Sequence, residues 1–176
     1  IVCHQGLLEK INLDPTVVDD KVKIYERQVK DWFLNPAQIL LDDTRSENGF
    51  IVLMVCLAYF EGVEHYRHGE AQNKRGKSRN FFIKAIDRIY QQKFTTNELE
   101  KLYSEARCAL FHAGMIDGSI LIKSDFEDPI LFDGNDIKIN PRMLLADITN
   151  DFEQYLNELR VNTELRNNFD KMYTNL

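Results

Sequence analysis

An unbroken apolar run, FIVLMVCLAYF from Phe50 to Phe60, is the feature that most restricts how this chain can fold. The run continues into an amphipathic segment that ends near His68 and Gly69, so its length predicts one long helix. A helix that is apolar on every side needs packing partners all around it. The run is also shorter than the roughly 20 apolar residues that cross a bilayer. We therefore expect a central, fully buried helix within a bundle, and no membrane partner.

A second helix is predicted from Asp14-Pro15, which places a capping residue directly before a proline. Proline is favoured in the first turn of a helix, because the N–H that it lacks has no partner there. Apolar residues then recur at helical spacing as far as Leu34. Asn35-Pro36 should break this helix and start a short one.

Between residues 119 and 139 the pattern changes from helical to β-type. Three short runs rich in Ile, Leu and Phe are separated by turn signals, which predicts a small hairpin or three-stranded flap. Asn140-Pro141 then starts another helix by the same capping logic. With the short connections, these patterns predict a single domain over residues 1–176. We expect a mainly all-α, antiparallel bundle of about five helices with this β insertion.

Composition narrows the functional classes. The net charge of -6 argues against a bulk electrostatic nucleic-acid binder, so any contact with nucleic acid must be local. Cys3, Cys56 and Cys108 are an odd number of cysteines without paired spacing, which favours a reducing compartment over a disulfide framework. The first residues show no signal-peptide pattern. We therefore expect a cytoplasmic protein.

A further helix, from Thr95 to Gly114, has recognisable ends. Thr95 is a favourable N-cap, and Glu98 three residues later completes a capping box. Gly114 supplies the left-handed conformation in which many helices end. On an ideal helix one stripe of this segment is apolar and should face the core. It consists of Leu99, Leu102, Tyr103, Ala106, Leu110 and Ala113.

The opposite side of this helix carries an unusual set of side chains. A solvated face normally carries Lys, Glu and Gln, whereas here an arginine and a histidine enclose an aromatic ring and a thiol. The four residues are Arg107, Cys108, Phe111 and His112. This arrangement predicts a second contact surface with a cation at each margin.

Several kinds of catalytic site lack support in the sequence. Two histidines and two glutamates near the end of the central helix do not form the two-His-with-Glu pattern of zinc proteases. They are Glu61, Glu64, His65 and His68, and an exposed polar helix end accounts for them. No phosphate-binding loop and no serine in a nucleophile elbow is present. Cys108 has no cationic helix start beside it to activate it. We expect neither a metal nor a cofactor.

The spacing Arg107-x4-His112, late in a helical bundle and followed by Gly114, resembles the signature of the HEPN superfamily (higher eukaryote and prokaryote nucleotide-binding domains). The order of elements is similar too: a buried apolar helix, a basic loop, a helix and the motif helix. The β insertion resembles that of HEPN branches linked to phage defence. This resemblance implies metal-independent RNA cleavage by Arg and His in the cleft of a homodimer, in a toxin or antiviral role. Many catalytic members carry Asn, Asp or His where this chain has Cys108.

Elementary chemistry is compatible with that role. RNA carries its own nucleophile, the 2′-hydroxyl, and a histidine can take its proton or protonate the leaving 5′-oxygen near neutral pH. An arginine fork can hold the phosphate and stabilise its developing charge. His112 and Arg107 are therefore the candidate catalytic residues. Glu61 either pairs with Arg107 and orients it or is an ordinary carboxylate at a helix end, and the sequence leaves both open.

The loop at residues 67–79 concentrates positive charge in an otherwise acidic protein. Its candidate contacts to an RNA backbone are Lys74, Arg75, Lys77 and Arg79. An ordinary solvated loop is the alternative.

Two other functions fit the same residues. A non-catalytic HEPN-like module would bind RNA, a nucleotide or a protein partner such as an antitoxin, and Cys108 in the usual polar position favours it. In a helical interaction domain, Arg107 and His112 would be incidental. RNA cleavage, RNA retention without cleavage, and the exposure of these two side chains distinguish the three functions.

Overall fold

The computed structural model describes residues 13–43, 47–70, 77–115 and 118–174. Within these residues the chain is mainly helical with one small three-stranded sheet, as predicted. The helical segments are α1 (Val18–Val29), a first π turn (Lys30–Leu34), α2 (Asn35–Asp42), α3 (Gly49–His68), α4 (Lys77–Ile89), α5 (Thr96–Leu102), a second π turn (Tyr103–Cys108), α6 (Ala109–Ala113), α7 (Pro141–Val161) and α8 (Thr163–Thr174). The strands are β1 (Ile120–Ile122), β2 (Ile130–Asp133) and β3 (Asp136–Ile139).

The central helix α3 organises the packing, since α2, α4, α7 and α8 all contact it. The buried part of its apolar run comprises Val52, Leu53, Cys56, Leu57 and Phe60. The prediction that the run is buried on every side is wrong, because Ile51 is 49% exposed and Ala58 is exposed as well. These two positions lie two turns apart on the same flank of the helix. One flank of α3 is therefore open to solvent.

Among the described residues, α3 is the one helix whose length and composition would allow it to cross a membrane. Of its most apolar window, 50% is buried inside the bundle. Core helices of globular proteins have the same length and composition, so this feature alone does not indicate a membrane span.

Helix α1 starts later than its sequence signals predict. Instead of capping a helix, the carboxylate of Asp14 accepts hydrogen bonds from the backbone N–H and the hydroxyl of Thr16, at 2.8 and 2.7 Å. These bonds close a tight turn around Pro15, and the helix begins at Val18. Aspartate and threonine stabilise such local turns as readily as they cap helices.

The predicted helix break at Asn35-Pro36 is absent. Helical backbone continues from α1 into α2 through the first π turn, where the N–H of Asn35 donates to the carbonyl of Lys30 five residues back. This wide turn adjusts the hydrogen-bond pattern just before a residue that has no N–H. Pro36 therefore lies in the first turn of α2 and does not end the helix.

The β insertion packs its apolar side onto the bundle. Strands β2 and β3 form the predicted antiparallel hairpin, and β1 pairs in parallel with the other edge of β3. The buried side chains are Ile120, Ile130, Ile137 and Ile139. Asn140 caps α7 as predicted, by accepting from the N–H groups of Arg142 and Met143. Its amide also donates to the carbonyls of Ser124 and Phe126, so the cap fixes the insertion onto α7.

Candidate active site

The helical stretch that carries Arg107 and His112 has the ends that its sequence predicts. The hydroxyl of Thr95 accepts from the N–H of Glu98 at 3.3 Å, and the carboxylate of Glu98 accepts from the N–H of Thr95 at 2.7 Å. Gly114 ends the stretch with φ +70°, a conformation that glycine adopts without strain. The capping box and the left-handed helix end are thus confirmed.

Between those ends the helix is irregular, which the sequence did not predict. In the second π turn, the N–H of Ala109 donates to the carbonyl of Ser104, five residues back. The wider turn rotates the residues that follow it relative to an ideal helix, and such turns are frequent at functional sites. Four residues of the predicted core stripe are buried, namely Leu99, Leu102, Ala106 and Leu110. The prediction is wrong for Ala113, which is exposed, and only partly right for Tyr103, which is half-buried.

Arg107 points from this π turn toward the flank of α3. Its Nη2 donates to Oε2 of Glu61 at 2.6 Å. The guanidinium carbon lies 5.1 Å from the ring centre of Phe111 and 5.6 Å from that of Tyr103, which are cation–π distances. The side chain is 18% exposed, and its Nε has no hydrogen-bond partner within the described residues. The guanidinium is therefore held in place while one of its donors stays unused.

The sequence left two roles open for Glu61, and the structure shows the first of them, an ion pair with Arg107. Glu61 is 5% exposed, and a buried carboxylate needs a cation or hydrogen-bond donors to compensate for lost hydration. A second basic side chain, His65, lies one turn later on α3 with its Nε2 3.8 Å from Oε1 of Glu61. Glu61 therefore lies between Arg107 and His65.

Sequence reasoning assigned His65 to an exposed polar helix end and not to the site. That prediction is wrong, because Glu61, Glu64 and His65 are all buried. His65 is 6% exposed, and its Nδ1 lies 2.6 Å from the carbonyl oxygen of Glu70. Burial opposes a charge on this imidazole, but Glu61 and the Glu70 carbonyl favour the charge, and the net effect raises the pKa of His65. A signal was present in the sequence, because side chains four residues apart on a helix lie side by side.

His112, the candidate acid or base, lies on the last turn of α6 and is exposed. Phe111, the preceding residue, is 43% exposed, and Met115, just beyond the helix end, is 67% exposed, so two exposed apolar side chains lie close to His112 along the chain. Arg107 and His112 thus lie on one helical stretch but differ in burial. The guanidinium is held against α3, and the imidazole faces outward.

Cys108, which the sequence placed on the second contact surface beside Arg107, is half-buried and lies next to Tyr103. Burial, followed by the neighbouring thiol, raises the pKa of Tyr103. Packing against this ring is the role that its surroundings indicate.

Four cations were predicted to contact RNA, and two of them, Lys74 and Arg75, lie outside the described residues. Lys77 and Arg79 lie in the first turn of α4, so the prediction that they belong to a loop is wrong. Lys77 pairs with the carboxylate of Glu70, and Arg79 lies 3.5 Å from a carboxylate on α5. These side chains are 29% and 50% exposed, so an RNA phosphate can compete for them.

A second ionic cluster lies on another flank of α3. Arg88 of α4 donates from Nε to Glu64 at 2.8 Å, and both of its terminal nitrogens donate to Asp151 of α7. Asp151 also accepts from the hydroxyl of Tyr59 at 2.7 Å. Glu64 is 2% exposed and Asp151 is 8% exposed. All three nitrogens of Arg88 have acceptors, so this cluster ties three helices together.

Within the part of the chain that the structure describes, no group of three or more His, Cys, Asp or Glu side chains is placed to hold a metal ion.

Comparison with protein-family models, curated protein sequences and solved structures found no match to this chain. The functional assignment therefore depends on the motif, the order of the elements and the site geometry.

Proposed function

We propose that the chain is a metal-independent endoribonuclease of HEPN type, built as an antiparallel bundle of about five helices, which acts on RNA in the cytoplasm in a toxin or antiviral role. The observation that carries this proposal is the contrast within one helical stretch. Nη2 of Arg107 donates to Oε2 of Glu61 on α3 at 2.6 Å, which fixes the guanidinium, whereas His112 is exposed five residues later. A positioned cation and an accessible acid or base are the two groups that RNA cleavage through the 2′-hydroxyl needs.

The division of labour follows from the surroundings of each side chain. Arg107 binds the phosphate through donors that Glu61 does not occupy and stabilises the charge that develops on its oxygens. His112 takes the proton of the 2′-hydroxyl or delivers one to the leaving 5′-oxygen. A symmetric pair of protomers supplies two such sets, so one histidine can act as the base while its counterpart acts as the acid.

The surface around the site supports a homodimer. Phe111 directly precedes His112, Met115 follows the glycine that ends the helix, and both side chains are exposed. Apolar patches with polar residues at the margin are typical of protein interfaces. A second copy of this chain is the occupant we propose for this surface.

A second candidate is a non-catalytic module that retains RNA, a nucleotide or a protein partner such as an antitoxin. Two observations favour it. Glu61 already offsets the charge of Arg107, and Cys108 follows the arginine and packs beside Tyr103.

The deciding experiment measures cleavage of a labelled single-stranded RNA by the purified chain in the presence of a chelator. His112→Ala and Arg107→Ala should each reduce cleavage by about 100-fold or more, with folding and dimerisation unchanged. His68→Ala is the matched control, because His68 is a half-exposed histidine that contacts the other α3 carboxylate, Glu64. Cleavage that survives both changes, or that the chelator removes, rejects the assignment. RNA binding without cleavage by the wild type supports the second candidate.

A further inference from the structure

The carboxylate of Glu61 faces two basic side chains at the same time. Oε2 accepts from Nη2 of Arg107 at 2.6 Å, and Oε1 lies 3.8 Å from Nε2 of His65. The exposed fractions of Glu61 and His65 are 5% and 6%. Charges that share a buried site interact more strongly than charges in water. The ionisation of His65 must therefore affect how tightly Glu61 holds Arg107.

The tautomer of His65 follows from its other nitrogen. Nδ1 lies 2.6 Å from the carbonyl oxygen of Glu70, and a carbonyl can only accept, so Nδ1 carries a hydrogen. In the neutral ring Nε2 then presents a lone pair toward the carboxylate of Glu61. Protonation places an N–H there instead. The charged imidazole is thus the form that fits this pocket.

The neighbouring groups have opposite effects on that charge. From α4, Lys77 opposes it, while Phe81 presents its ring at a centroid distance of 4.7 Å from the imidazole. From α3 and its end, Glu61 and the Glu70 carbonyl favour it. Arg107, on the second π turn, is a further cation at the same carboxylate, and a like charge nearby disfavours a charge on His65. Within the described residues the balance favours the charged form, and the pKa of His65 is raised.

We infer that His65 is a positioning residue, which controls through Glu61 how freely the guanidinium of Arg107 can bind a phosphate. When His65 is protonated, Glu61 divides its charge between two cations and holds Arg107 less tightly. When His65 is neutral, a larger share of that charge falls on Arg107, which then competes less well for a phosphate. The phosphodiester ligand rests on the proposed function, whereas the coupling among the three side chains does not.

The coupling is measured by NMR titration of the His65 ring in the intact chain. Glu61→Gln removes the anion, so the pKa of His65 should fall. Arg107→Met removes a competing cation, so the pKa of His65 should rise. His68→Asn, one turn away beside Glu64, should leave the titration of His65 unchanged. A His65 titration that neither of the first two changes moves would overturn the inference.

The positioning role is measured by binding of a single-stranded RNA whose 2′-hydroxyls are all methylated, so that it cannot be cleaved. As the pH falls through the titration of His65, the RNA affinity of the wild type should rise by about fivefold more than the RNA affinity of His65→Asn. A factor of this size is typical of weak coupling between sites. Asparagine retains an amide N–H near the position of Nδ1 for the Glu70 carbonyl. Parallel pH profiles for the two proteins would contradict the positioning role. If the wild type binds no RNA, the proposed function fails, and the NMR titration still decides the coupling.

Discussion

Two buried carboxylates of α3, Glu61 and Glu64, each pair with an arginine from another helix, but the two clusters are satisfied to different degrees. At Glu64, every nitrogen of Arg88 has an acceptor. At Glu61, Nε of Arg107 and Nε2 of His65 have no hydrogen-bond partner within the described residues. The helix therefore carries one closed polar network and one open network.

The difference indicates what each cluster does. A buried polar group without a partner costs about 1–3 kcal/mol, and most buried polar groups in native proteins have one. The Arg88 cluster joins α3, α4 and α7, and stabilising the fold is a sufficient role for it. In the Arg107 cluster a buried donor stays unused, and it lies on the same helical stretch as the exposed His112. It is therefore the better candidate for binding a ligand.

The largest expected effect is a difference in the free energy of unfolding between variants of the two clusters. Arg88→Met leaves Glu64 and Asp151 buried without their shared cation, which should lower the free energy of unfolding by about 3–5 kcal/mol. Arg107→Met should cost clearly less, because His65 still faces Glu61. Urea denaturation of both variants measures the difference. Equal losses would mean that the two clusters have the same structural role.

A pair of tyrosines tests the same distinction one hydrogen bond at a time. The hydroxyl of Tyr59 donates to Asp151 at 2.7 Å, so Tyr59→Phe should lower the free energy of unfolding by about 1.5–3 kcal/mol. Tyr155 is fully buried, and its hydroxyl has no partner within the described residues, so Tyr155→Phe should be neutral or slightly stabilising. Denaturation curves measure both. A large loss of unfolding free energy from Tyr155→Phe would show that this hydroxyl makes a stabilising contact. The unpaired atoms at Glu61 would then no longer distinguish that cluster from the one at Glu64.

Local signals in the sequence were reliable where short-range bonds decide the structure. The capping box at Thr95, the cap at Asn140 and the left-handed end at Gly114 depend on residues only a few positions apart. The β2–β3 hairpin was predictable for the same reason. The helix start at Asp14 failed because the same side chain closes a turn instead.

Features that depend on packing were not predictable in the same way. Neither π turn leaves a mark in the spacing of apolar residues, so an ideal 3.6-residue helix misplaced Ala113. The open flank of α3 at Ile51 and Ala58 depends on where the other helices lie. The pair of Arg107 with Glu61 was foreseen as one of two options. His65 was missed because it was assigned to an exposed polar helix end, whereas packing buries it beside Glu61.

The open cluster should also give the protein a pH dependence that the closed cluster does not. The pKa of His65 is raised above its ordinary value of 6.5, so its protonated form stabilises the folded state. That contribution is complete below the ordinary value and is lost as the pH rises through the raised pKa of the folded protein. The free energy of unfolding of the wild type should therefore decline over this interval more than that of His65→Asn. Urea titrations from about pH 5.5 to about pH 8.5 measure this difference. Identical declines would show that His65 carries no such linkage.

The smallest expected effect comes from a change at the start of the helical stretch that carries the site, and it tests whether the site responds to the stability of that helix. Thr95→Ala removes the cap at the start of α5 and should lower the free energy of unfolding by about 1 kcal/mol. The hydrogen bond from the N–H of Thr95 also lowers the pKa of Glu98, so the contribution of this pair is present above the ordinary value of 4.5 and declines as the pH falls. Because the cap lies on the far side of the second π turn from His112, RNA cleavage and the titration of His65 should not change. If Thr95→Ala shifts the His65 titration as Arg107→Met does, that titration reports general loosening of the helix, and the distinction between the open and closed clusters loses its support.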